Sequence, residues 1–312
     1  MSMKRMPGLG WLRGRGAVIG IPYAWLLIFF LLPFLVVARI SVSAMETTTI
    51  SDIVTWKDGA IAFSLQFGNY LLLLKDDLYV TTYVSSLEYA AVTTVLCLAI
   101  GYPFAYFMAR ARRTLQPTLL MLVMLPFWTS FLLRVYAWKA LLTEHGLVAD
   151  AIEALGLDRA LAWAGLIPGP GQLMNTPFSL VLGMTYTYLP FMILPLYSNL
   201  SKMDLRLLEA ASDLGATAWT AFWTVTVPLS RAGAIAGAML VFIPCVGEYV
   251  IPELLGGPQT QMIGRTLWDE FFSNNDWPMA CAVAVAMILL VIVPVAVFSR
   301  YQNEASGLRA TA

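Results

Sequence analysis

From Val18 to Ala38 the chain carries no charged residue. As a helix rising about 1.5 Å per residue, such a run spans the ~30 Å hydrocarbon core of a bilayer. Val42-Ser43-Ala44 resembles a leader cleavage site, but the apolar run is too long for a cleavable signal and Arg39 follows it at once. A retained membrane span is therefore the expectation. Lys4, Arg5, Arg13 and Arg15 precede it, the basic pattern of a segment held on the cytoplasmic side.

Five more apolar runs follow, at about 83–109, 118–142, 178–200, 232–255 and 279–298. With 59% hydrophobic and 12% charged residues, the composition is far from that of a soluble domain. The chain is expected to be an all-α integral membrane protein with six transmembrane helices and both termini cytoplasmic. Its parts would be a basic segment at 1–17, a six-span domain at 18–300 and a cytoplasmic tail at 301–312. Charge placement tests this topology. The four cytoplasmic segments hold 12 of the 19 Lys and Arg, whereas the three external loops hold 12 of the 19 Asp and Glu and only four basic residues. That asymmetry follows the positive-inside rule. The first external loop, 41–82, is long enough for some structure of its own.

Several chemistries are excluded early. Net charge is zero, which gives no reason to expect a nucleic-acid partner. Cys97, Cys245 and Cys281 lie far apart in apolar segments and read as packing residues. His145 is the only histidine, and no GxxxxGK[ST] occurs, so the chain has no P-loop for ATP. No nucleophile–base pair or metal-ligand cluster suggests an enzyme. No internal repeat suggests a carrier built from inverted halves.

The cytoplasmic loop 201–231 is the longest segment of the second half that water can hold. Asp204 is a suitable N-cap, and Leu207, Ala211 and Leu214 share one helical side. Gly215 then offers the left-handed conformation that ends a helix. Trp219, Phe222 and Trp223 predict a second short amphipathic helix, and Pro228 pushes Val227 toward an extended conformation.

Ionisable residues inside spans are expensive and point to function by default. Here they are Glu88, Arg134, Lys139, Glu248 and Glu253, all placed in the outer half of the bilayer by the span directions. Two readings stand side by side. Arg134 or Lys139 pairs internally with a glutamate, or the carboxylates line a pathway, with Asp269 and Glu270 beside Trp268 in the next loop. In the second reading Trp128, Tyr136, Trp138 and Tyr249 supply faces that suit ammonium groups, and a cationic solute fits better than an anionic one. Interfacial belt positions are the alternative for such aromatics, and the better one for Trp25, Trp56 and Trp277.

Glu209-Ala210-Ala211, three residues, Gly215, nine residues, Val225, one residue, Val227-Pro228 resembles the EAA loop of ABC importer permeases, EAA-x3-G-x9-I-x-LP. Val225 and Val227 depart from that pattern conservatively. Segments 125–138, 241–258 and 262–278 resemble those of polyamine permeases, and nearly the whole chain is similar to the long-loop permease subunit of putrescine transport systems. The resemblance implies a type I ABC importer permease fold in a bacterial inner membrane. It also implies a second permease subunit, two cytoplasmic ATPase subunits that bind ATP and Mg, and a periplasmic polyamine-binding protein. The chain itself would bind no cofactor. Glu209 would meet a basic residue in a groove of the ATPase, with Ala210, Ala211 and Gly215 keeping the helix thin. Spermidine or another small solute in the same architecture is one alternative, and a stand-alone secondary carrier is another.

Overall fold

The computed structural model describes residues 15–46, 49–50, 54–57, 60–63 and 65–310. Most of the expected basic segment, with Lys4, Arg5 and Arg13, lies outside the described residues, as do residues 311–312 of the tail. The chain divides into two compact units, Met1–Leu73 with Glu270–Ala286, and Leu74–Asp269 with Met287–Ala312.

In the first unit the uncharged run forms α1 (Val18–Ser41). A single π-helical turn, Leu27–Leu31, comes just ahead of Pro33. Proline has no N–H to donate and its ring crowds the carbonyl one turn back, so a widened turn there lets the helix continue. The loop after α1 carries two antiparallel hairpins, β1 (Met45–Glu46) with β2 (Thr49–Ile50) and β3 (Val54–Lys57) with β4 (Ala60–Phe63), an addition to an otherwise helical chain. α2 (Gly68–Lys75) is tied back to the end of α1. Asn69 Nδ2 donates to the carbonyls of Ser41 and Ser43, both at 3.1 Å, and Tyr70 OH lies 2.7 Å from Ser41 Oγ. The same unit contains the turn before α13 (Trp277–Ala310), which Asp276 caps by accepting the Met279 N–H at 3.0 Å.

The second unit is built on three long helices, α3 (Asp77–Arg110), α8 (Pro177–Leu200) and α10 (Ala218–Val246). Between α3 and α8 lie α4 (Gln116–Trp128), α5 (Phe131–Leu142), α6 (Leu147–Ala154) and α7 (Leu157–Trp163). The buried positions of α3 include Ser86, Ala90, Thr93, Cys97, Gly101 and Ala105, a stripe of small residues at helical spacing. α8 and α10 approach closely for a related reason. Gly233 and Gly237 stand one turn apart on α10. A Cβ at Gly237 would lie 2.7 Å from Met192 Sδ and 3.0 Å from the Met192 carbonyl oxygen, and one at Gly233 would lie 2.9 Å from the Pro195 carbonyl. Without a hydrophobic drive inside lipid, close van der Waals contact of this kind holds helices together. Thr176 and Ser179 form a reciprocal capping box at the start of α8, with Pro177 in the first turn. Cys97, Cys245 and Cys281 are buried free thiols.

Three expectations about the spans change. The run at 118–142 is not one straight helix, because α4 and α5 meet at 87°. Pro126 lies in a final 3₁₀ turn and Thr129 is extended, which ends α4. The run at 232–255 is not one helix either. α10 stops at Val246, and a separate α11 (Val250–Leu255) follows. Finally, Val227 is helical at φ −62°, ψ −48°, so Pro228 does not end the loop in extended chain. A second π-helical turn, Phe222–Thr226, precedes it and absorbs the proline as the first does at Pro33.

Candidate functional site: the loop after α8 and the break after α10

The loop begins with local chemistry. Asp204 Oδ1 accepts the Arg206 N–H at 3.0 Å, which satisfies an orphan donor at the start of α9 (Arg206–Asp213). At the other end Gly215 has φ +85°, its N–H donates to the Ser212 carbonyl at 2.9 Å, and the Ala216 N–H reaches Ala211 at 3.0 Å. These are the two bonds of a Schellman close, and they need a residue that tolerates the left-handed region. Thr217 Oγ1 then accepts the Thr220 N–H and starts α10. Between the caps, Glu209 and Ala210 are exposed and Ala211 is half-buried. Leu205, Leu207 and Leu214 are also exposed, Leu214 at 90%. None of the residues of this short helix is buried among the described residues. Behind it, Phe222 is held edge-on by Tyr102 and Tyr106 at 5.6 and 5.7 Å, while Trp219 and Trp223 remain exposed.

The break between α10 and α11 is organised by Glu248, whose side chain is buried. Its Oε1 accepts the N–H groups of Tyr249 at 3.2 Å and Val250 at 3.1 Å, which caps α11. Its Oε2 accepts a short hydrogen bond from Tyr188 OH on α8. Both carboxylate oxygens are therefore engaged, so the structure places Glu248 as a fastening of the break rather than as an open carboxylate. α12 (Ile263–Trp268) packs directly beneath. A Cβ at Gly264 would lie 2.6 Å from the carbonyl oxygens of both Gly247 and Glu248. The Ile263 N–H donates to Ser86 Oγ at 2.7 Å, anchoring α12 on α3.

Glu253 and Tyr249 face a more accessible setting. Glu253 Oε2 lies 2.8 Å from Arg265 Nε, with the two side chains 41% and 27% exposed. The glutamate pairing expected in this region thus exists, but with Arg265 in place of Arg134 or Lys139. The reason is the helix break, which turns α11 toward α12. Tyr249 stacks on Trp268 at 4.4 Å and 16°, and Asp269 follows, exposed. Arg134 sits near the rings of Phe127 and Phe131 at 5.5 and 5.9 Å, and its Nε and Nη1 make no hydrogen bond. Trp138 packs edge-on against Tyr186 at 5.3 Å, whereas Trp128 and Tyr136 are exposed at 72% and 52%. Glu88 is not part of this group and lines a separate apolar cavity. Glu270, in the other unit, is buried and accepts Asn274 Nδ2 at 2.9 Å. Tyr188, Arg265 and Gly264 were absent from the residues singled out by sequence. For Tyr188 a signal existed in the run Thr185-Tyr186-Thr187-Tyr188, four polar-tipped side chains within one apolar span.

Residues 97–303 match the family model described as binding-protein-dependent transport system inner membrane component. The chain belongs to this family. As an inner membrane component it is a multi-pass membrane protein, and its family is a transporter permease rather than an enzyme. It is 36% identical over 282 residues to the spermidine/putrescine transport system permease protein PotB of Haemophilus influenzae, covering 90% of this chain and 92% of that one. Against PotB of Escherichia coli (strain K12) identity is 36% over 267 residues, with 86% and 90% covered. Among solved structures, a bacterial ABC transporter that imports the acidic polysaccharide alginate aligns with TM-score 0.63 at 15% identity, covering 92% of this chain and 94% of that one. The inner membrane component fold is thus the ABC importer permease fold expected from the loop.

Proposed function

We propose that the chain is a membrane-spanning subunit of an ATP-driven polyamine importer, with putrescine as its principal solute. The observation that carries this reading is 36% identity across nine-tenths of the chain to a permease named for spermidine and putrescine. In this reading a periplasmic binding protein delivers the solute, a paralogous second permease completes the pathway, and two ATPase subunits hold ATP and Mg. This chain holds neither.

The exposed helix α9 is the coupling element. Glu209 meets a basic residue of the ATPase, and Ala210, Ala211 and Gly215 leave room for it to seat. What supports this is a helix fixed at both ends by its own caps, with Leu205, Leu207 and Leu214 left uncovered. Solute contact is assigned to Glu253, Asp269 and the Tyr249–Trp268 stack, since two carboxylates beside aromatic faces suit a diammonium ion. Glu248 takes the role of holding the break that presents them.

The test is uptake of labelled putrescine into vesicles carrying the reconstituted complex. ATP-dependent, saturable uptake in which spermidine competes more weakly than putrescine itself is expected. Stronger competition by spermidine reassigns the solute, and uptake without the ATPase subunits overturns the importer.

A further inference from the structure

α3 has 34 residues. At about 1.5 Å per residue it is ~51 Å long, well beyond a ~30 Å hydrocarbon core, so about two-fifths of it stands outside the hydrocarbon. Arg110 at its end, with Arg112 and Arg113 just beyond, marks the cytoplasmic boundary. Counting back about 20 residues, one bilayer crossing, reaches Ala90. Glu88 therefore stands at the outer boundary, where the hydrocarbon meets the headgroups.

Beside Glu88 the chain leaves a cavity of about 590 Å³ between α3 and α8, also lined by Leu161 and Leu166. Val92, Leu96 and Ile100 form its wall on α3, and Phe178 and Val181 its wall on α8. Glu88, an exposed residue, is the one charged residue of the lining, to which Tyr89 and Thr185 add hydroxyls. An apolar slot entered past one carboxylate has the polarity of a single amphiphile, with an amine at the boundary and hydrocarbon beneath. A diammonium solute does not fit it, because its second charge would sit among Leu96, Ile100 and Val181. An anionic headgroup would meet Glu88 with like charge.

We infer that this cavity is a binding site for an amine-bearing phospholipid of the outer leaflet, its ammonium group on Glu88 and an acyl chain between α3 and α8. The buried methylenes of the acyl chain supply affinity and Glu88 supplies headgroup choice. Glu88 thereby leaves the solute pathway.

The full-length chain, taken from nanodiscs of equal phosphatidylethanolamine and phosphatidylglycerol, is examined by native mass spectrometry in mild detergent. Retention of phosphatidylethanolamine over phosphatidylglycerol by about five-fold is expected, the factor for ~1 kcal/mol. Glu88→Gln brings that ratio close to one while lipid is still retained. Val92→Trp, at a half-exposed position that leaves the core intact, lowers the total lipid retained. Equal retention of both lipids by the unmodified chain, or an unchanged ratio in Glu88→Gln, overturns the inference. So does efficient cross-linking of Val92→Cys to a second permease subunit in the membrane, which would give the cavity to protein.

Discussion

The loop after α8 and the break after α10 interrupt helices in opposite ways. At the loop the helix ends are closed by near neighbours in the chain, by Asp204, Thr217 and the left-handed Gly215. At the break the cap is also local, but the carboxylate that makes it is held by Tyr188, sixty residues away, and the ground beneath it is cleared by Gly264. Water can repair a fault in the first and cannot repair one in the second. The loop is consequently free to present its apolar face to a partner, whereas the break owes its shape to the fold around it.

The sharpest way to break the comparison is Glu209→Lys. A reversed charge on an exposed helix is expected to leave folding and insertion intact, yet to remove about 2–5 kcal/mol of docking energy and with it more than an order of magnitude of uptake. Transport assays with co-purification of the ATPase decide it, and normal uptake would strip the loop of its coupling role. Glu248→Ala should do the reverse, destabilising the protein in detergent by about 3 kcal/mol and so lowering its unfolding temperature, because it orphans two amide N–H groups and Tyr188 OH. If Glu248→Ala melts like the unmodified protein, Glu248 returns to the candidates for solute contact. A matched glycine pair comes next. Gly264→Ala should destabilise by ~2 kcal/mol through overpacking against two carbonyls, and Gly215→Ala by ~1 kcal/mol through its positive φ alone. Equal losses in denaturant titrations would erase the contrast between the sites. The smallest stability effect is expected for Glu253→Gln, below ~1 kcal/mol because the pair with Arg265 is solvent-screened. Its uptake assay should show a raised KM for a dicationic amine, and an unchanged KM would release Glu253 from the pathway.

What the sequence made legible follows the same division. The approximate places of the apolar helices and the two ends of α9 at Asp204 and Gly215 depend on residues near one another in the chain, and these are readable there. Pro228 was misleading because a proline rule speaks of the residue before it, while the π turn at Phe222–Thr226 gives the helix another way past. The bend at Thr129 and the stop at Val246 were hidden inside apolar runs, where hydropathy is blind to direction. Glu253 stood out in the sequence as an intramembrane carboxylate, but its partner Arg265 could be named only once the break had turned α11 toward α12. Glu88 was grouped with the other intramembrane carboxylates by hydropathy, and in the fold it lines a cavity that none of them reaches.

The π turn ahead of Pro228 also has a mechanical meaning. Because it keeps Ala218–Val246 a single helix of 29 residues, the chain owns one stiff rod of ~43 Å from the loop after α8 to Gly247. A tilt of about 5° about its lower end carries the upper end about 4 Å sideways. Glu248 and the helix it caps ride on that upper end. The widened turn is thus the splice that makes a lever out of two pieces, and stiffness, more than any side chain, would carry a movement at Ala218 across the membrane.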